Sequence, residues 1–101
     1  MVEIRKKSFN AYAEIKYYLD SLNIAGEYGA SSNFVGSMRD FNKDKKVTQM
    51  TLEHYPEMTE KYLETIAKES IEKWTLLDVL ILHRIGKINV GEDIVLVATW
   101  S

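Results

Sequence analysis

The sequence predicts an α+β domain: two helices packed on a mainly antiparallel sheet, in the order β-α-β-β-α-β-β. Three observations carry this. Across Pro56, the single proline of the chain, hydrophobic spacing changes from a period of two to that of a helix. A second helical stripe runs through residues 11–22. The remaining apolar residues fall in short runs bounded by glycine and polar turn residues, as strands do.

Taken in order, Val2–Lys6 alternates loosely and reads as a first strand. Asn10 suits an N-cap, because its side chain can accept from the unpaired donors of a first turn. Ala11, Ile15, Tyr18, Leu19 and Leu22 then share one helix face, and Gly26 stands where that helix should have ended. Tyr28–Val35 reads as a strand whose small residues Gly29, Ala30, Ser31 and Ser32 imply close packing against another element. Phe41–Lys46 is polar and turn-like and Val47–Tyr55 returns as a strand, so the two strands are expected to pair as a hairpin. In the returning strand Thr48, Met50, Leu52 and His54 alternate with Gln49, Thr51, Glu53 and Tyr55. Pro56 ends that ladder and presets a backbone angle for entering a helix. Tyr62, Leu63, Ile66, Ala67, Ile71 and Trp74 form its apolar stripe. Val79–His83 and Ile94–Thr99 complete the strands, joined by an excursion through Gly86 and Gly91. The last strand is apolar on both faces from Ile94 to Ala98 and so demands cover from two sides. By pattern alone, a ferredoxin-like sandwich is also compatible with this order.

A chain of 101 residues suits one domain, spanning 1–101, with a core but no room for two. Hydrophobic content of 46% and charged content of 28% are those of a soluble globular protein. No apolar run approaches the ~20 residues that cross a bilayer, and no signal-peptide pattern opens the chain, so a cytoplasmic protein without membrane partners is expected. The absence of cysteine excludes disulfides, thiolate metal sites and cysteine nucleophiles. A net charge of −2 argues against general nucleic-acid binding while leaving room for a local basic pocket.

Arg39 is the foremost candidate for chemistry. It follows Gly36-Ser37-Met38 at a strand end, where side chains project into a loop-lined pocket. Its guanidinium can grip a phosphate or carboxylate through two parallel hydrogen bonds, and Gly36 would let a ligand approach the backbone. The plainer reading pairs Arg39 with Asp40 or Asp44 across an exposed turn. Lys43, Lys45 and Lys46 read as a solvated turn that could also meet an anionic ligand or partner tail. The histidines His54 and His83 lack metal-ligand spacing and read as structural, donating to backbone carbonyls at strand ends. Glu53 and Glu57 read as a helix-entry and surface pair, and Tyr12, Tyr17 and Tyr18 as core or contact surface. No cofactor is implied.

Three segments in order carry a resemblance to a known family. They are Asn33-Phe34-Val35-Gly36-Ser37-Met38-Arg39-Asp40, Leu52-Glu53-His54-Tyr55-Pro56-Glu57-Met58-Thr59-Glu60, and His83-Arg84-Ile85-Gly86 followed by Val90-Gly91-Glu92. Together they resemble the large, catalytic subunit of molybdopterin synthase over residues 30–100, with Met38 replacing a usual β-branched residue. The resemblance implies an α/β hammerhead-like fold in which the Gly86–Gly91 region is an outlying piece. It implies sulfur transfer, twice, to cyclic pyranopterin monophosphate, from the C-terminal thiocarboxylate of a ubiquitin-like small subunit. It implies substrate binding at Ser37, Met38 and Arg39 and a homodimer within a heterotetramer. The family's catalytic lysines lie in a segment that would follow Ser101. None is therefore expected within this chain, which is read as C-terminally truncated and nearly silent by itself. Two rival readings are a shortened, non-catalytic relative that dimerises or binds the small subunit, and a ferredoxin-like sensor of small ligands.

Overall fold

The strand that is apolar on both faces lies inside a sheet, with a helix layer on each side. The computed structural model describes residues 1–40, 49–52 and 56–101. Its elements are β1 (Val2–Arg5), α1 (Ala11–Leu22), β2 (Ser31–Ser37), β3 (Gln49–Leu52), α2 (Pro56–Trp74), β4 (Asp78–Arg84), β5 (Gly86–Asn89) and β6 (Asp93–Trp100). Four strands form one sheet in the order β1-β4-β6-β2, and β3 pairs with β5 in a second. The main sheet is mixed: β1 runs parallel to β4, while β6 is antiparallel to both β4 and β2.

Side-chain alternation explains the layers. Leu80 and Leu82 of β4 and Leu96, Ala98 and Trp100 of β6 project to one side, where Ala11, Ile15, Tyr18, Leu19 and Leu22 of α1 cover them. Val79 and Ile81 project to the other side with Val97, beneath Leu63, Ala67 and Ile71 of α2. Leu80, Leu82, Leu96 and Trp100 lose essentially all contact with water, each worth roughly 1.5–3 kcal/mol. Helices on opposite faces exclude the ferredoxin-like sandwich, and the sensor reading goes with it.

The ends of α1 follow the sequence closely. Asn10 is the N-cap, its Oδ1 accepting from the N–H of Ala13 at 3.0 Å. At the other end the chain turns at Asn23 (φ 54), three residues ahead of Gly26, since asparagine also tolerates left-handed backbone. Tyr18 donates to Asp78 at 2.8 Å and packs on Trp100, tying α1 to the start of β4. Tyr12 and Tyr17 point into solvent.

Several expectations are corrected. The second and third strands do not form a hairpin: β2 joins β6 and β3 joins β5. The central β6 needs a neighbour on each edge and takes β4 and β2, while the Gly86–Asn89 excursion is itself a strand that supplies β3 with a ladder. The second strand starts at Ser31 rather than Tyr28. Of the α2 stripe, Leu63, Ala67 and Ile71 are packed, but Tyr62, Ile66 and Trp74 are exposed, because α2 lies mainly over β1 and β4. The strand residues expected at 47–48 and 53–55, the turn with Lys43, Lys45 and Lys46, Glu53 and His54 lie outside the described residues. Among the described residues no helix is long and apolar enough to cross a membrane.

Candidate functional site

The end of β2 is fixed from three directions before the chain reaches Arg39. The first is a register shift: Gly36 faces Val95 but Ser37 faces Asp93, so Ile94 is the extra residue of a bulge. Bulges bend a strand and re-aim the side chains beyond them. The second is Asp93, whose Oδ1 accepts from the Ser37 hydroxyl at 2.9 Å and whose Oδ2 accepts from the Ala11 N–H at 2.9 Å. One carboxylate thus joins the strand end to the first turn of α1, where the helix dipole favours negative charge. The third is Met38. Its N–H donates to the carbonyl of Glu92 at 2.9 Å, its carbonyl accepts from the Gly91 N–H at 2.7 Å, and its side chain is 3% exposed.

Arg39 follows this anchored residue and is itself exposed, on a rigid stem. That combination suits capture of an anion: a permanent cation, a fork of donors and a backbone already ordered before binding. The three residues predicted for substrate binding therefore differ in character. Ser37 is exposed with its hydroxyl committed to Asp93, Met38 is buried with both backbone groups paired, and Arg39 is exposed beyond them.

Gly36 has a packing reason. A Cβ there would lie 2.9 Å from Cγ1 of Val95, so the neighbouring strand already fills the space that the sequence suggested for a ligand. His83 is expected to donate to a backbone carbonyl at a strand end, and the structure places it as the penultimate residue of β4. It is half-buried there, and the one ring nitrogen Nδ1 has no hydrogen-bond partner among the described residues. Among the described residues no group of three histidine, cysteine or acidic side chains is arranged to hold a metal ion.

Sequence reasoning did not single out Asp93, or assign work to Arg84 and Glu92 beyond their place in a motif. The buried Arg84 donates from Nη2 to the carbonyl of Lys87 at 2.7 Å and brings Nη1 to 3.6 Å from Oε2 of Glu92. Charged residues flanking glycines Gly86 and Gly91, both with left-handed φ, were the available signal. A loop that turns on such glycines needs side chains to hold it.

Residues 4–101 match the family model described as MoaE protein. The chain is 55% identical over 73 residues to the molybdopterin synthase catalytic subunit of Pseudomonas aeruginosa, covering 72% of this chain and 49% of that protein. To the protein of the same name from Vibrio cholerae it is 39% identical over 100 residues, 99% of this chain and 64% of the relative. Among solved structures, the molybdopterin biosynthesis MoaE protein from Burkholderia ambifaria aligns with a TM-score of 0.80 at 39% identity, covering 100% of this chain and 63% of that one. Molybdopterin synthase from Staphylococcus aureus aligns with a TM-score of 0.82 at 30% identity, covering 98% and 69%. The chain spans 43% to 64% of the length of the curated relatives it matches. The α/β hammerhead-like arrangement implied by the sequence motifs is the fold observed, with β3 and β5 as its outlying piece.

Proposed function

This chain belongs to the MoaE protein family, and on that premise we propose that it serves molybdenum cofactor biosynthesis as the large subunit of molybdopterin synthase. In this reading cyclic pyranopterin monophosphate is converted to molybdopterin with sulfur from the thiocarboxylated small subunit. The end of β2 supplies the anion-gripping part of the site. Arg39 holds the substrate phosphate and opposes the negative charge that develops during sulfur transfer. Ser37 and Met38 belong to the same site, since they set where Arg39 leaves the sheet. The observation that carries the reading is the doubly bonded Met38 backbone directly before an exposed arginine, within a family-matched segment.

The test is calorimetric titration of the parent and Arg39→Ala with cyclic pyranopterin monophosphate. Loss of one charge-assisted forked contact typically costs about 1.5–3 kcal/mol, an affinity loss of roughly 10- to 150-fold. Melting temperature should not move, because an exposed strand-end arginine contributes little to a core. Unchanged affinity at unchanged stability would return Arg39 to a surface ion pair. A turnover assay with thiocarboxylated small subunit separates a synthase from a relative that only binds.

The proposal extends to a cytoplasmic, symmetric dimer. On the α2 side of the sheet, Val97 of β6 is only partly covered at the edge of the α2 cluster, and its neighbour in register, Phe34 of β2, is 63% exposed. An apolar half-face of this kind is suited to a second copy, and two-fold pairing is the commonest way to supply one. Sedimentation at micromolar concentration should give twice the chain mass; a strictly monomeric mass would remove the dimer from the reading.

A further inference from the structure

We propose that Arg84 is a positioning residue for Arg39, acting through Glu92 and the backbone of Met38. The inference rests on the substrate-binding reading of Arg39 and deepens it. Arg84 ends β4 with its side chain only 7% exposed. Burying a guanidinium is costly unless its donors are paired. Here Nη2 reaches the Lys87 carbonyl, Nη1 stands 3.6 Å from Glu92, and neither Nε nor Nη1 has a hydrogen-bond partner among the described residues. Its neighbour in register, Arg5, is a like charge whose guanidinium is taken by Glu3 and Glu14. A hydrophobic side chain of similar volume would serve stability as well or better, so the arginine is explained by what it holds in place.

What it holds is the turn between β5 and β6. Arg84 grips the strand that leads into that turn at Lys87, and the turn itself at Glu92. The second carboxylate oxygen of Glu92 accepts from the Asn89 N–H at 2.7 Å, and the Glu92 N–H donates to the Asn89 carbonyl at 3.1 Å, closing the turn over Gly91. From the closed turn, the Glu92 carbonyl and the Gly91 N–H bind both backbone groups of Met38. A relay therefore runs from a buried cation at the end of β4 to the residue before Arg39, with each link a charge contact or a hydrogen bond. Misplacing a gripping side chain by about an ångström can cost as much as deleting a contact.

The test measures affinity for cyclic pyranopterin monophosphate in the full chain, for the parent, Arg39→Ala, Glu92→Gln, the pair Arg84→Met with Glu92→Gln, and the same changes combined with Arg39→Ala. The pair removes both charges and leaves an apolar side chain in the buried space, so melting temperature should hold. Affinity is expected to fall about tenfold when Arg39 is present and not at all when it is alanine, a non-additivity that marks coupled residues. Glu92→Gln alone keeps an acceptor for Asn89 and loses the charge facing Arg84. It should fall in the same direction, and it carries the test if the pair fails to fold. The proposal is overturned if these variants bind like the parent while Arg39→Ala is weakened, or if they lose affinity equally in both backgrounds. If Arg39→Ala itself binds like the parent, the substrate-binding reading fails, and the relay with it.

Discussion

Replacing Asp93 should loosen two elements at once, and the substitution chosen decides by how much. Its carboxylate takes one hydrogen bond from the Ser37 hydroxyl and one from the Ala11 N–H, both at 2.9 Å. Hydrogen bonds to a charged group contribute about 1.5–3 kcal/mol each when buried. Ser37 is exposed, so its share is smaller, below about 1 kcal/mol once water replaces the partner. Ala11 is fully buried, and its N–H is among the donors a first helical turn leaves unpaired, so that bond sits near the top of the range. Asp93→Ala should therefore cost about 2–4 kcal/mol. Asp93→Asn behaves differently, because its oxygen can still accept from Ala11 while its amide donates to the Ser37 hydroxyl. Only the interaction of charge with helix dipole is lost, about 0.3–1 kcal/mol. Urea unfolding of Asp93→Ala, Asp93→Asn and Ser37→Ala gives the three values at constant slope. The order alanine at 93, then asparagine at 93 with alanine at 37 close beside it, is required. Equal losses for the two Asp93 variants would mean that charge rather than hydrogen-bond satisfaction holds the junction, refuting the argument.

Two further outcomes follow from single positions. α2 ends in a turn where the Leu76 N–H returns to the Ile71 carbonyl at 3.1 Å and Thr75 takes φ 54. A β-branched residue is strained there, so Thr75→Gly should raise stability by about 1 kcal/mol in thermal unfolding, and a decrease would contradict the strain. Burial, and then its hydrogen bond to Asp78, hold the Tyr18 hydroxyl above its ordinary value of 10.0. A raised value in the fold gives stability that is complete below about pH 10 and is lost as pH climbs from there towards the raised value. Tyr18→Phe should cost about 1 kcal/mol at neutral pH, with the gap to the parent closing in alkali; a gap that widens there would reverse the assignment.

Local signals in the sequence settled much of this protein. The Asn10 cap, the buried face of α1, the strand at residues 94–98 needing cover on both sides, and the helix beginning at Pro56 are each written within a dozen neighbouring residues. So is the motif that makes Arg39 a candidate. Periodicity of this kind is a property of the chain itself, because a face must be apolar before anything can pack on it. Tertiary structure alone decided which strands pair. β2 and β3 are near in sequence and were expected to form a hairpin, yet each found its ladder in a distant partner, β6 or β5. It also decided that Tyr62, Ile66 and Trp74 stay exposed, since the reach of α2 over the sheet depends on where β1 and β4 lie. Asp93, Glu92 and Arg84 look like ordinary charged residues near a turn. The work of Asp93 exists only where its turn meets the end of β2 and the start of α1, 56 and 82 residues away at Ser37 and Ala11. Arg84 and Glu92, which meet each other locally, matter through the likewise distant Met38. A local pattern cannot encode a contact whose other half is not local.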